Sequence, residues 1–315
     1  MKILTLKVNT SILVLTLLLS FFARAQDGIR GVVNLGSNGW LFQSEELTGF
    51  DKNYLPDFVS KLKFFDDYLG KSGTKIVYVI IPTKYEIYGK FELNKSKISD
   101  ESYEIIGKSL KEAGLKFLDA KYVLKKAAEG GSLVWMRRDT HMSPQGGQIL
   151  GKNIAHYLTT NQLVNITHKN NYTIDFQNVD FPSDLWRFIY PKDQLVYPKF
   201  ESIVFPNIKF SNKNSELLAK FNPDIVLIGT SYSVRPFNSI AVGIEQVLGS
   251  EILNLGRDGG GIWGSMDYYL GERKKNLVPA SPKVIIWEIP ERFINKQSIQ
   301  TYHDFPNINK VLDNR

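Results

Sequence analysis

The chain has 315 residues, 43% of them apolar and 12% aromatic, enough to bury a sizeable core in one large domain and too apolar for a disordered chain. It contains no cysteine, which excludes lipid attachment through an N-terminal cysteine, disulfides, zinc–thiolate sites and a cysteine nucleophile. The formal charge is +7, but taking Lys2, Lys7 and Arg24 of the leader from the 39 bases leaves 36 against 32 acids, a mild +4 without any Lys/Arg-rich block, so no nucleic-acid partner is expected.

The leader comes first. Lys2 and Lys7 precede an apolar run, Ile12 to Phe22, and Ala23-Arg24-Ala25 fits a small-x-small cleavage site. Residues 1–25 are therefore predicted to be a signal peptide and 26–315 one folded domain. An uncleaved membrane anchor is the alternative, and either reading places the domain in the periplasm. Gly31 to Phe42 reads as a short strand-like piece turning at Ser37-Asn38-Gly39. Leu55 to Leu69 has helical spacing, with Phe58, Leu62, Phe65 and Leu69 on one face, and Gly73 stops it. Ile76 to Ile81 is a continuous β-branched run, the pattern of a strand buried on both faces. Residues 101–113 read as helix and Lys116 to Asp119 as a short strand. Ser143-Pro144 supplies an N-cap and a first-turn proline for a helix with Leu150, Ile154, Tyr157 and Leu158 inward. Residues 160–220, rich in Asn, Asp, Pro and aromatics, read as an irregular insertion or lid. Strands at Asp224–Ile228, Glu251–Leu255 and Val284–Ile289 then alternate with helices at Phe237–Leu248 and Ile262–Leu270. Such alternation predicts an α/β sandwich around a mostly parallel sheet.

Four histidines limit the choice of a general base: His141, His156, His168 and His303. His156 lies inside a helix, and His168 and His303 read as surface residues. His141 follows Asp139-Thr140 and precedes the capped helix start. An Asp two residues before a His can orient the imidazole through Nδ1–H and leave Nε2 free as a base; the same pair can also bind a metal or cap the helix. Ser231 follows Gly229-Thr230 at the end of a buried strand, where α/β sheets place their ligands, and there a helix start also offers N–H groups to an oxyanion. Its plainer reading is a helix cap. Asn254-Leu255-Gly256-Arg257-Asp258-Gly259-Gly260-Gly261 is a glycine-rich turn that can bring backbone close to a bound group, or simply joins strand to helix; its spacing is not that of a dinucleotide site.

Taken together these segments resemble the alginate O-acetyltransferase family (AlgX/AlgJ-like), a relative of the SGNH hydrolases. The resemblance rests on Gly36 to Phe42 (G-x-x-G-W-L-F), Pro82-Thr83-Lys84, Arg138-Asp139-Thr140-His141-Met142-Ser143-Pro144-Gln145-Gly146, Gly229-Thr230-Ser231-Tyr232 and Val284 to Arg292. It implies a circularly permuted SGNH-like three-layer α/β/α fold in which the Asp-x-His segment precedes the serine segment. It carries the catalytic trio onto Ser231, His141 and Asp139, and assigns oxyanion or substrate contacts to Gly259, Arg257 and Tyr232. Met142 stands where the family has Trp, and Thr230 where Asp is commoner.

The expected function is a periplasmic O-acetyltransferase that passes acetyl through an acetyl-serine to hydroxyls of an exported polysaccharide, alginate-like or another exopolysaccharide. Trp263 and Trp186 are candidates for stacking on sugar faces. No metal or cofactor is required. The resemblance implies a polysaccharide acceptor and, as acetyl source, a membrane-bound O-acyltransferase partner. The alternatives are an SGNH carbohydrate esterase using the same trio and a non-catalytic polysaccharide-binding scaffold of an export complex. A metal-dependent hydrolase built on Asp139 and His141 is more remote.

Overall fold

The computed structural model describes residues 32–47, 50, 52–94, 101–165, 169–211 and 223–313; the expected signal peptide and His168 lie outside them. Strands β1 (Val33–Leu35) and β2 (Leu41–Gln43) form an antiparallel ribbon around the turn at Ser37–Gly39. The turn bends through Asn38 (φ 55°) and Gly39 (φ 76°), residues that tolerate left-handed backbone. Helix α1 (Leu55–Gly70) buries Leu55, Phe58, Leu62, Phe65 and Leu69, the face its spacing marks. Strand β3 (Lys75–Ile81) leads into a Thr83/Glu86 capping box that starts the short helix α2 (Lys84–Tyr88). Helix α3 (Ser102–Glu112), strand β4 (Lys116–Leu118) and helix α4 (Ala120–Glu129) follow, α4 being capped by Asp119. Helix α5 (Pro144–Thr160) opens as expected, the Ser143 Oγ accepting from the Gly146 N–H at 3.0 Å.

The rest of the chain supplies strands β5 (Tyr172–Pro182), β6 (Phe200–Phe210) and β7 (Ile225–Ile228) and the one-turn helix α6 (Ser231–Val234). Helix α7 (Ile240–Leu248), strand β8 (Leu253–Asn254), helix α8 (Gly264–Lys274) and strand β9 (Val284–Pro290) follow, then helices α9 (Lys296–Gln300) and α10 (Pro306–Leu312).

Five strands form one sheet in the order β4-β3-β9-β7-β8, every neighbouring pair parallel. The two-residue side-chain period divides each apolar run between the faces. Ile76, Tyr78, Ile80, Ile285, Trp287 and Ile289 pack under α1, α3, α8 and α10. Val77, Val79, Ile81, Leu227 and Ile286 pack under α4, α5 and α7. This is the expected three-layer α/β/α sandwich. Strand β9, far along the chain, sits at its centre between β3 and β7. On one face α5 and α7 come within backbone contact, because a Cβ at Gly147 would overlap the Asn238 carbonyl oxygen and one at Gly243 the Gln148 carbonyl oxygen.

Residues 160–220 depart from the expected irregular lid. They carry a long antiparallel ribbon in which β5 and β6 pair through all eleven residues of each strand, from Tyr172 opposite Phe210 to Pro182 opposite Phe200. The ribbon has only two strands, so most of its side chains are exposed; β5 shows no burial rhythm, and β6 alternates only at its start, where Glu201 and Ile203 are buried. Pro206 is tolerated inside β6 because a ribbon of two has free edges. The helix expected from Phe237 starts only at Ile240, since Ser239 turns left-handed (φ 55°) after a 3-10 turn at Pro236–Asn238. The strand expected at Glu251–Leu255 shortens to Leu253–Asn254.

Candidate active site

Strand β7 ends at Ile228, and the chain turns through Gly229 and Thr230 into α6, with Ser231 as its first residue. That places the Ser231 hydroxyl at the carboxyl edge of the sheet. Beneath the turn lies the carboxylate of Glu288, on β9. It accepts from the Thr230 N–H at 2.7 Å, the Thr230 hydroxyl at 3.1 Å and the Ser233 hydroxyl at 2.9 Å. Burial raises the Glu288 pKa to about 7, against the opposing pull of those donors and of Arg292. The fit is close: a Cβ on Gly229 would stand 2.6 Å from the Ser233 Oγ and collide with Glu288. From the other side the Asn238 side-chain amide donates to the Ser231 carbonyl.

His141 reaches Ser231 from the loop before α5, 90 residues earlier in the chain. Its Nε2 lies 2.9 Å from Ser231 Oγ, and its Nδ1 lies 2.6 Å from Asp139 Oδ1. With the proton on Nδ1 facing the carboxylate, Nε2 presents a lone pair to the serine hydroxyl. Asp139 is fully buried and His141 nearly so, whereas Ser231 is open to a cavity. Burial pushes the Asp139 carboxyl up. The hydrogen bond and charge of His141 and the N–H groups of Asp184 and His141 outweigh it and hold the carboxyl below its usual range.

The loop is held from three sides. Lys84, wholly buried at the start of α2, donates its ammonium to the carbonyls of Asp139 (2.8 Å), Arg137 (3.3 Å) and Met136 (3.4 Å). Burial lowers its pKa, and the nearby acids Glu46, Asp184, Glu201 and Asp139 partly restore it. Strand β6 and the segment joining it to β5 contribute one carboxylate each. Glu201 accepts from the N–H groups of Arg138 (2.7 Å) and Arg137 (2.9 Å). Asp184 accepts from the Thr140 N–H (2.8 Å) and hydroxyl (2.6 Å), while its own N–H donates to Asp139 Oδ2 at 2.8 Å. Burial and the charge of Asp139 raise the Asp184 pKa. The third side is Tyr232, whose hydroxyl donates to the Thr140 carbonyl at 2.5 Å and accepts from Arg292 at 2.7 Å.

Ser231 opens into a cavity of about 420 Å³ whose wall includes His141, Asp184, Arg187, Phe188, Gly259 and Arg292. Gly259 turns left-handed there (φ 70°), in a loop tied to the serine turn by the Arg257 N–H donating to the Gly229 carbonyl at 3.0 Å. Among the described residues neither the Ser231 nor the Gly259 N–H donates to another protein group. Both residues line the cavity, each with a backbone N–H that no other described protein group takes.

One expected contact is corrected, and a second lies apart from the serine cavity. Tyr232 does not face a substrate: its side chain is buried between the loops, and its hydroxyl is spent on Thr140 and Arg292. Arg257 is exposed and lies outside the serine cavity, its guanidinium 4.6 Å from the centre of the Tyr268 ring. Trp263, offered for sugar stacking, is fully buried in the core with its indole N–H on the Ser298 carbonyl. Trp186 is half-buried beside Leu185 and Tyr197 and is not part of the cavity wall. Met142 is buried as well, so its substitution for Trp leaves the cavity wall untouched. His156 and His303 are exposed.

Asp139, His141 and Asp184 are the one set of such side chains among the described residues near enough to share a cation. Their oxygens already hold the loop N–H groups, the Thr140 hydroxyl and the imidazole, so the donor set serves as a hydrogen-bond frame.

The model of the family "SGNH hydrolase-like domain, acetyltransferase AlgX" matches residues 33–291. Among curated proteins, the "Probable alginate O-acetylase AlgJ" of Azotobacter vinelandii is 27% identical over 286 residues, spanning 85% of this chain and 71% of its own length. The Pseudomonas aeruginosa protein of the same name is 26% identical over 284 residues, with 85% and 71% covered. Among solved structures, the O-acetyltransferase domain of Pseudomonas putida AlgJ superposes with a TM-score of 0.75 at 23% identity, covering 90% of this chain and 99% of that one. Pseudomonas aeruginosa AlgX follows with a TM-score of 0.65 at 19% identity, covering 89% and 67%. These structures share the fold, and with the match over residues 33–291 the chain belongs to the SGNH hydrolase-like acetyltransferase family of AlgX.

Proposed function

We propose that this protein is a periplasmic O-acetyltransferase that acetylates hydroxyls of an exopolysaccharide, with Ser231 as nucleophile, His141 as general base and acid, and Asp139 as the group that orients and charges the imidazole. The observation that carries this reading is the unbroken hydrogen-bond chain from Asp139 through His141 to a Ser231 hydroxyl open to a cavity. In the first half-reaction Ser231 Oγ attacks the carbonyl carbon of an acetyl ester donor. Its proton passes to His141 Nε2, and the donor's C–O bond breaks as His141 returns that proton to the leaving alkoxide. In the second, a sugar hydroxyl gives its proton to His141 and attacks the acetyl-serine. The Ser231 Oγ–C bond then breaks, and the proton goes back to Ser231. General base help of this kind is worth roughly 10²–10⁴-fold. The N–H groups of Ser231 and Gly259 would hold the tetrahedral oxyanion, each such donor being worth about 3–4 kcal/mol.

Residues 1–25 would direct export. A donor outside the cytoplasm implies a membrane-bound O-acyltransferase as the acetyl source. The names of the AlgJ relatives favour alginate or a similar polymer as acceptor. The test is mass spectrometry of the protein after exposure to 4-nitrophenyl acetate, followed by addition of oligosaccharides. An acetyl adduct on Ser231 that moves to sugar is the expected result. Release of acetate without acetylated sugar would make the protein an esterase. The absence of any adduct would leave a binding scaffold.

A further inference from the structure

Leu195 and Val196 are the two most exposed large apolar side chains among the described residues, at 91% and 69%. They stand side by side in the segment that joins β5 to β6, at the end of a 3-10 turn, Asp193–Leu195. The turn is braced. The N–H groups of Asp193 and Gln194 donate to the Tyr190 carbonyl at 2.9 and 3.1 Å, and those of Val196 and Tyr197 to the Asp193 carbonyl at 2.9 and 3.1 Å. Tyr197 points inward beside Leu41, Leu185 and Ile189. Its hydroxyl donates to the Gly36 carbonyl at 2.8 Å, and its carbonyl accepts from the Trp186 indole at 2.7 Å. With Tyr197 pinned inside, the two residues before it are presented to solvent. Phe200, at the start of β6, is exposed as well, and Val204 and Phe176 follow it on one face of the ribbon. One exposed leucine means little, but a group of this size marks an interaction surface.

The charges of the same segment have one dominant sign. The Arg187 guanidinium lies 4.7 Å from the centre of the Phe188 ring, the Lys192 ammonium 6.0 Å from Tyr190, and the Lys199 ammonium 5.6 Å from Trp186 and 5.3 Å from Phe200. None of the three cations forms an ion pair among the described residues. Of the two acids between β5 and β6, the Asp184 carboxylate is spent on Thr140, which leaves Asp193 against three cations.

We infer that this segment is a membrane-docking tip: Leu195 and Val196 enter the headgroup boundary of a lipid bilayer, and Lys192, Lys199 and Arg187 face the phosphates of anionic lipids. Apolar side chains ringed by aromatics and cations are the composition that settles at a membrane–water interface. Lysine stems lie along the rings there while their ammonium groups stay in water. An anionic surface supplies the charge that the three cations lack within the protein. The same segment lends Leu185, Arg187 and Phe188 to the wall of the serine cavity, so docking sets the mouth of that cavity near the lipid. The docking stands apart from the acetyl-transfer reading; only its use, holding Ser231 beside a membrane-bound acetyl source, rests on it.

The chain has no cysteine, so Leu195→Cys gives a single thiol for an environment-sensitive nitrobenzoxadiazole label. The full chain so labelled is titrated with vesicles of phosphatidylethanolamine and phosphatidylglycerol, and separately with phosphatidylcholine alone. The label is expected to brighten and shift to the blue on the anionic vesicles, and to need at least about tenfold more of the neutral lipid. Lys192→Glu together with Lys199→Glu should raise the anionic lipid needed by about tenfold or more, each cation at such a surface being worth roughly fivefold. Val196→Asp in the labelled chain should weaken the response as well. Leu277 is 63% exposed and lies between α8 and β9, at the amino edge of the sheet opposite Ser231. The same label on Leu277→Cys should not respond, and a leader that merely carried the chain to the bilayer would not favour position 195 over 277. Thermal midpoints show that each variant is folded. A silent label at 195, an equal response to both lipids, or an equal response at 277 would each overturn the proposal. So would a response that needs membrane proteins in the vesicles, which would make the partner a protein. Adduct formation on Ser231 is measured in the unsubstituted protein; its failure sinks the acetyl-transfer reading and leaves the docking standing.

Discussion

Glu288 provides the sharpest physical test of how the serine turn is held. Its carboxyl is 1% exposed, and burial raises its pKa from an ordinary 4.5 to about 7. The folded state therefore holds this proton more tightly than the unfolded chain. Below pH 4.5 both states keep it and stability is unaffected. Between pH 4.5 and 7 the unfolded chain releases the proton first, so the unfolded state binds fewer protons and stability falls as pH rises. Above pH 7 the loss is complete. A shift from 4.5 to about 7 at 1.36 kcal/mol per unit amounts to ~3 kcal/mol. Glu245, also raised to about 7 by burial, adds a second loss in the same window. Asp139 acts in the opposite direction, but its depressed pKa places that effect at more acid pH. Urea midpoints measured from pH 5 to 8 should thus decline in the unsubstituted protein. Glu288→Gln keeps an acceptor for the Thr230 N–H and removes the titration, so its decline should be shallower by ~3 kcal/mol across the window. Glu245→Gln serves as the internal comparison, removing only its own share. A Glu288→Gln protein with the full original slope would refute the account of a buried, proton-holding carboxyl under Ser231.

Other outcomes follow from the same geometry. Asp139→Asn should keep the fold and lower kcat for acetyl transfer by roughly 10³–10⁴-fold, because the imidazole loses the partner that fixes its tautomer; steady-state kinetics with 4-nitrophenyl acetate checks it. Asp184→Ala leaves the Thr140 N–H and hydroxyl without their acceptor, which should cost about 1–3 kcal/mol in urea unfolding and lower kcat more than it changes KM. Tyr232→Phe removes the hydroxyl between Arg292 and the Thr140 carbonyl, and a similar loss of about 1–3 kcal/mol is expected, read as a lower thermal midpoint. Gly147→Ala puts a methyl into the Asn238 carbonyl where α5 meets α7, so it should destabilise by more than about 3 kcal/mol and reduce soluble yield.

The sandwich was legible because its signals are local. An uninterrupted apolar run rich in Ile and Val such as Ile76–Ile81 fits a strand covered on both faces, and Ser143-Pro144 announces a helix by its own chemistry. Asp139 and His141 were legible for the same reason: two residues apart, they meet without help from the rest of the fold. What frames them was not. Lys84, Asp184 and Glu201 act on main-chain carbonyl and N–H groups, and every residue has those, so nothing in the partner's identity marks the contact. Lys84 lay inside a segment singled out for its resemblance, without a role attached to it. Asp184 and Glu201 lay in a stretch read as irregular, because β5 is exposed along nearly its whole length and β6 alternates over only a few residues. Tyr232 and Trp263 misled in the opposite direction. Tyr232 follows the serine turn and Trp263 a glycine-rich one, and only the packing shows that the first braces two loops and the second fills the core.

The central position of β9 has a consequence for how activity is acquired. Without residues 284–290 the strands remain two separate pairs, β4 with β3 and β7 with β8. The loop bearing His141 is tied to the first pair through Lys84, just past β3, and Ser231 extends from the second. Inserting β9 zips the pairs together and delivers Glu288 beneath the serine turn in the same motion. Contacts that close over such long stretches of chain form slowly. The proposed Asp139–His141–Ser231 chain is therefore complete only when the whole sheet has closed, so its activity would report on the fold of both pairs at once.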